Sequence, residues 1–489
     1  MKKISLLTFG LAASLTAAAQ NKPNIVYILT DDLGYGDLKC LNPNSQIPTT
    51  NMDRLSKEGV IFTNVHSNSA VSSPTRYGIL CGRYAFRSSL KKGVLGGYSE
   101  PLIEKSRTTA PQVLQKAGYQ TAIIGKWHLG LEWGISKTLK PELDSNNKVV
   151  PGSTVDYSLP LTDTPNDHGF DYSYIIPASL DMNPYVYIEN RKVENPKMKM
   201  MEGSKSPRGV FWRKGLASAD FDITQTLDHF SDKAVNYIEK YSSPKPFFLY
   251  VTLPSPHTPW LPGAKFQGKS GAGIYGDYVC HVDDVVGRIL DAIDKKGLKD
   301  NTIVIFTSDN GADWKAGDKA AFPLHNANYI FKGEKSDIWD GGHHIPFLVR
   351  WPNGSKKGTV NTDLICLTDF FSTCVELTGQ TVEPGAGEDS FSMLSAIKGT
   401  STPKTRRTEM VHHSINGMFA LRSGKWKFVD GNGSGGWTKE AKPDKFEGQL
   451  YDMINDPQEK VNLYATMPDV VKKLRARLNE IRKGDGLKK

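Results

Sequence analysis

The chain is poor in cysteine: five in 489 residues, at positions 40, 81, 280, 366 and 374. The count is odd and the spacing is scattered, which excludes a disulfide framework and a cysteine-based zinc module. Long apolar runs are missing too. The one at the N-terminus, within "MKKISLLTFGLAASLTAAA", is too short to span a bilayer. Formal charge is +9, from 61 Lys+Arg against 52 Asp+Glu. No block of like charge or aromatic–basic interleaving accompanies it, so no nucleic-acid partner is expected, whereas an anionic small partner suits the balance. There is no internal repeat.

What is present starts with residues 1–19, two lysines, an apolar stretch and a small-residue end near Ala19–Gln20. This reads as a secretory signal peptide, so the mature protein is expected in the periplasm or secreted. No cysteine follows to carry a lipid anchor. The remaining length asks for one large domain and a smaller one.

Short apolar runs rich in β-branched and aromatic residues read as buried strands: "NIVYIL" 24–29, "TAII" 121–124, "FFLYVTL" 247–253, "TIVIF" 302–306 and "FLVRW" 347–351. Amphipathic stretches separate them. In "YVCHVDDVVGRILDAI", Val282, Val285, Val286, Ile289 and Ile293 share one helical face. The alternation predicts an α/β domain over 20–400, a large parallel or mixed sheet sandwiched by helices. Residues 131–220 have weak periodicity and read as long inserted surface loops. From 401 to 489 the texture changes to short antiparallel strands ("TEMVHHS", "MFALRSG", "KWKFVDG", "GQLYDM") and a terminal amphipathic helix, a smaller α+β subdomain.

The polar residues that follow these strands carry the chemistry. "NIVYIL" runs into Thr30-Asp31-Asp32, "TAII" into Gly125-Lys126-Trp127-His128, "FFLYVTL" into Pro254-Ser255-Pro256-His257, and "TIVIF" into Ser308-Asp309-Asn310-Gly311. Sites of open α/β sheets form at the carboxyl ends of strands. Asp31, Asp32, Asp309 and Asn310 offer only oxygen, which selects calcium or magnesium over zinc. Lys126, His128, His257 and Lys335 add cations and proton-transfer groups, a set suited to a phosphate or sulfate ester. Further along, "NSAVSSPTRYGILCGRY" (68–84) places Ser72, Ser73, Pro74, Thr75 and Arg76 before a helical stretch, with Ser73 suited to the cap and Pro74 to the first turn. Such a helix start with an arginine is an anion site.

Together these stretches resemble the type I sulfatases of the alkaline-phosphatase superfold. The signature Cys/Ser-x-Pro-x-Arg appears as Ser72-Ser73-Pro74-Thr75-Arg76. "NIVYILTDDLGYGDL", "GKWHLG", "PSPHTPW", "FTSDNGA" and "GEKSDIWDGGHHIPFLVRWP" follow the family order, and "GQLYDMINDPQEKVNL" resembles its C-terminal subdomain. The resemblance implies that Ser72 is oxidised to formylglycine by a serine-oxidising maturing enzyme, as in sulfatases of anaerobic bacteria. It implies metal ligands Asp31, Asp32, Asp309, Asn310 and the modified Ser72, with calcium expected and magnesium allowed. Arg76 would steady the nucleophile, His257 protonate the leaving alcohol, Lys126 and Lys335 balance the sulfate charge, and His128 restore the aldehyde. The expected substrate is a sulfated mono- or oligosaccharide, desulfated exo-wise, of galactose or N-acetylgalactosamine type. "IPASLDMNPYVYIENRKV" resembles a loop of glycan sulfatases, which makes Asp181, Asn183 and Tyr185 candidate sugar contacts. The alternatives are a phosphatase or phosphodiesterase of the same superfold and an unmodified protein that only binds sulfated glycan.

Overall fold

A computed structural model describes residues 22–440, 444–484 and 486–487. The expected signal peptide, 1–19, lies outside the described residues. No helix among the described residues is long and apolar enough to cross a membrane. All five cysteines are free, four of them buried.

Ten strands form the main sheet. In spatial order these are Thr359–Asn361, Val60–Phe62, Phe347–Arg350, Thr302–Ser308, Asn24–Asp31, Phe247–Pro256, Gln120–Lys126, Tyr172–Ile176, Ile188–Glu189 and Lys192–Val193. Every residue of Asn24–Asp31 is buried, as a central strand covered on both faces requires. Its side chains alternate between two cores. Ile25, Tyr27 and Leu29 pack on one face, Val26 and Ile28 on the other. Helix Gly273–Lys295 covers the second face with the stripe read from sequence, Val282, Val285, Val286, Ile289 and Ile293 all being buried.

The central strand runs parallel to Phe247–Pro256 and Thr302–Ser308, and Phe247–Pro256 runs parallel to Gln120–Lys126. Four polar strand ends therefore meet on one edge. The sheet is mixed, because Phe347–Arg350 runs antiparallel to Thr302–Ser308. The connection between these two strands carries only the short helices Ala316–Ala321 and Asp340–His343.

Residues 131–220 depart from the expectation of loops alone. Tyr172–Ile176 is a strand parallel to Gln120–Lys126, and Met198–Met201 pairs with Gly215–Ser218. The "YSYII" run carries hydroxyls that hide its strand character in sequence. In the fold they are paired: Tyr172 donates to Glu189 Oε1 at 2.7 Å and Ser173 to Asn166 Oδ1 at 2.9 Å.

Strands Glu409–His413, Phe419–Ser423, Trp426–Asp430 and Gln449–Asp452 make an antiparallel sheet, backed by helix Pro468–Lys483. Val471, Leu474, Leu478 and Ile481 form the buried stripe of that helix. A second apolar cluster, Ile338, Trp339, Ala420, Val429 and Tyr451, joins this sheet to the chain that carries Lys335. Leu478→Ala is expected to cost about 2–5 kcal/mol, since the side chain is fully buried and its cavity cannot collapse freely. Chemical denaturation checks this; a change under 1 kcal/mol would contradict the packing role.

Candidate functional site

Asp31 ends the central strand, and the chain then turns sharply at Asp32, a non-glycine residue with φ of 65°. The turn is held from below. Asp37 Oδ2 accepts from Gly34 N at 2.7 Å and from the Tyr275 hydroxyl at 2.6 Å, while Asp37 Oδ1 lies 3.0 Å from His325 Nε2. Asn328 supports the neighbouring loop, accepting from Ala312 N at 2.9 Å and donating to Ala312 O at 3.0 Å. A side chain at Gly311 would meet Gly341 O at 1.9 Å, so glycine there lets the "SDNG" and "WDGG" loops touch. Gly125 is needed for a similar reason. It has φ of 128°, and a Cβ would lie 1.9 Å from Thr252 O.

Helix Ser72–Cys81 is buried along its whole length. Its first residue is Ser72 and its cap is Val71, two residues earlier than the Ser73 cap expected from sequence. Ser73 is otherwise engaged, its hydroxyl accepting from Leu95 N at 3.0 Å. The shift puts Ser72 itself at the helix start, facing the strand ends.

There Ser72 Oγ donates to Asp31 Oδ1 at 3.1 Å and lies 3.0 Å from Lys126 Nζ. Lys126 also donates to Asp31 Oδ2 at 2.6 Å. Arg76, one helical turn on, donates to Asp309 Oδ2 through Nε at 3.1 Å and Nη2 at 2.8 Å. Lys335 donates to Asp32 Oδ2 at 2.7 Å, and Asn310 Nδ2 to Asp32 Oδ1 at 2.7 Å. His257 Nε2 stands 3.8 Å from Asp32 Oδ2. These residues are all buried. The structure thus brings together Asp31, Asp32, Ser72, Arg76, Lys126, His257, Asp309, Asn310 and Lys335 from six chain segments.

Electrostatics separate their roles. Burial pushes the Asp31 carboxyl up, but Lys126, His257, Arg76 and Lys335 outweigh it and hold the group well below the usual carboxylate range. Burial, with Asp31 beside it, raises Asp309 despite Arg76 and Lys126. Lys126 is lowered by burial, only partly offset by Asp31. For Lys335 burial is outweighed by Asp32 and Asp31, which keep it firmly protonated. His128 has φ of 59° and its Nε2 lies 2.7 Å from Leu95 O. Nε2–H therefore donates there, and the buried Nδ1, which has no hydrogen-bond partner, keeps its lone pair. Burial, Lys126 and Arg76 hold this ring well below the ordinary histidine range, hence neutral. His257 is fixed in the complementary way: Nδ1 lies 2.7 Å from Thr258 O, leaving Nε2 toward Asp32.

The three candidate sugar contacts are placed differently. Tyr185 is buried in the core, its hydroxyl donating to Arg213 O at 2.6 Å. Asp181 is buried and paired with Arg213. Asn183 packs against Gly215. Among the described residues, no hydrogen bond joins these three to the Asp31–Ser72 cluster. Sequence reading also passed over Tyr275, His325 and Asn328, which hold Asp37 and the loop at Ala312 from 238, 288 and 16 residues away.

The sulfatase family matches residues 23–380, and the C-terminal part of N-sulphoglucosamine sulphohydrolase matches residues 334–484. The chain belongs to the sulfatase family. An N-acetylgalactosamine-6-O-sulfatase of Bacteroides thetaiotaomicron is 33% identical over 501 residues, covering 94% of this chain and 93% of its own. The human N-acetylgalactosamine-6-sulfatase is 29% identical, covering 79% of this chain and 67% of its own. A solved Bacteroides thetaiotaomicron structure, from work on the metabolism of multiple glycosaminoglycans, superposes with a TM-score of 0.80 at 31% identity, covering 95% of this chain and all of its own. The protein is a sulfuric ester hydrolase, and sulfatase relatives over nearly the whole chain decide against the phosphatase and binding-only alternatives.

Proposed function

We propose that this sulfatase is an exported enzyme that removes O-sulfate exo-wise from sugars of galactose or N-acetylgalactosamine type, using a formylglycine made from Ser72 by a serine-oxidising maturing enzyme. One observation carries the reading: Ser72 Oγ is held between the Asp31 carboxylate and the Lys126 ammonium at the head of a buried helix. The similarity to N-acetylgalactosamine-6-sulfatases supports the sugar class.

A divalent metal fits the residues present. Asn310 Nδ2 donates to Asp32 Oδ1 and Gly311 O, which fixes the amide, yet the buried Asn310 Oδ1 has no hydrogen-bond partner. An orphaned carbonyl oxygen beside three carboxylates is a hard-cation donor set. Asp31, Asp32, Asp309, Asn310 and the modified residue 72 would hold calcium, with magnesium an acceptable substitute. Bound there, the ion would supply positive charge that favours the ionised form of a residue-72 hydroxyl. The hydrated aldehyde would supply one hydroxyl to attack sulfur and a second to let sulfate depart.

The chain's own residues do the rest. Arg76, Lys126 and Lys335 balance Asp31, Asp32 and Asp309 before any metal or ester arrives. Adding a dication leaves the site positive, which draws in a sulfate ester and stabilises charge on its oxygens. Lys126 Nζ, 3.0 Å from Ser72 Oγ, orients the residue-72 oxygen. Because Nδ1–H is committed to Thr258 O, it is His257 protonated on both nitrogens that presents Nε2–H to the departing sugar oxygen as proton donor. His128, neutral with a free Nδ1, takes the proton whose removal restores the aldehyde.

Sulfate release by the matured enzyme from galactose, N-acetylgalactosamine and glucosamine sulfates tests the substrate class. Turnover is expected on the first two, and turnover on glucosamine sulfates alone overturns it. Metal removal gives a separate prediction. A chelator should abolish sulfate release and calcium should restore it. Stoichiometric zinc in active enzyme, with neither calcium nor magnesium, would contradict the hard-cation assignment.

A further inference from the structure

Beside Lys335 the C-terminal subdomain places an aromatic side chain that the chemistry above leaves unused. Trp437 lies in the connection between strands Trp426–Asp430 and Gln449–Asp452. Its backbone N–H donates to Ser336 Oγ at 2.9 Å and Asp337 Oδ1 at 3.0 Å, which ties it to the residues just after Lys335. Its ring centroid is 5.8 Å from Lys335 Nζ and 5.6 Å from Lys315 Nζ. Lys335 Nζ in turn is 2.7 Å from Asp32 Oδ2. An indole that is 42% exposed therefore stands one ammonium group away from the sulfate site. Lys315 Nζ also lies 3.5 Å from Asp313 Oδ1, a buried carboxylate oxygen without a hydrogen-bond partner.

The two backbone hydrogen bonds pin the chain at Trp437 beside Lys335, and its half-exposed indole offers a broad apolar face. A sugar ring matches this wall. Galacto-configured sugars carry an axial hydroxyl that leaves one face lined by C–H bonds, a surface an indole covers, while the hydroxyl edge needs acceptors. We propose that Trp437 is the stacking platform for the sugar that bears the sulfate, with Asp313 Oδ1 accepting from one of its hydroxyls. The inference rests on the sugar-sulfatase reading and makes Trp437 a specificity-determining residue rather than a catalytic one.

Trp437→Ala and Trp437→Phe, assayed on N-acetylgalactosamine 6-sulfate, test it. Trp437→Ala should raise KM about 10- to 100-fold, as losing an aromatic anchor does, and leave kcat within about threefold. Trp437→Phe should recover most of the loss. Inhibition by inorganic sulfate, which has no ring to stack, should not change in either variant. An unchanged KM overturns the proposal. So does an equal weakening of inorganic sulfate, which would show that the indole only holds Lys335. Calorimetric binding of galactose 6-sulfate to the unmatured Ser72 protein reads the same contact without turnover. If that binding depends on Trp437 while matured enzyme releases no sulfate, the reaction assigned above fails and the platform stands. If turnover proceeds and binding ignores Trp437, the platform alone fails.

Discussion

Ser72→Ala is expected to lose multiple-turnover sulfate release by about 10,000-fold or more, because it removes the group proposed to form the covalent link. The fold should survive. Ser72 donates one hydrogen bond, to Asp31 at 3.1 Å, and Lys126 keeps its own contact with Asp31 at 2.6 Å. Losing one hydroxyl at a helix start is a modest structural change, so melting temperature should move little. Protein expressed without a serine-oxidising maturing enzyme should behave like the alanine variant. Its single hydroxyl offers no second oxygen to let sulfate leave. Sulfate release near the matured level from Ser72→Ala would remove residue 72 from the chemistry.

His257→Ala should separate substrates by their leaving groups. A sugar alkoxide needs a proton as the S–O bond breaks, whereas an activated phenolate leaves unaided. The loss on a sugar sulfate is expected to be about 100- to 10,000-fold, the usual worth of a positioned general acid, with a far smaller loss on an aryl sulfate. The geometry favours this residue because Nδ1 is committed to Thr258 O and Nε2 faces Asp32 at 3.8 Å. Equal losses on both substrates would pass the proton-donor role to another group.

Much of this arrangement is legible in sequence, for a physical reason. Residues that end buried parallel strands are displayed together, so apolar runs followed by Asp31-Asp32, Lys126, His257 and Asp309-Asn310 point to one edge before any fold is known. The C-terminal strands are equally plain, because three of the four short runs adjoin a glycine, such as the turn at Gly424 with φ of 55°. What stays hidden depends on long-range contacts with no period. Tyr172–Ile176 looks polar until Glu189 and Asn166 take its hydroxyls. Asp181-Met182-Asn183-Pro184 has the residues of a sugar-binding loop, and sequence does not show that Arg213 takes Oδ2 of Asp181, that its Oδ1 stays without a hydrogen-bond partner, or that the Tyr185 hydroxyl turns inward to backbone. Trp437 gives no signal in sequence at all, since only the docking of the C-terminal sheet sets it beside Lys335.

The proposed reaction turns on an aldehyde made from Ser72. The mass of the peptide containing residue 72, taken from enzyme that is turning over a sulfated sugar, tests it most directly. A peptide lighter by two hydrogens is expected, in proportion to activity across preparations of differing maturation. Full multiple-turnover activity from protein whose residue 72 is unmodified serine would contradict it.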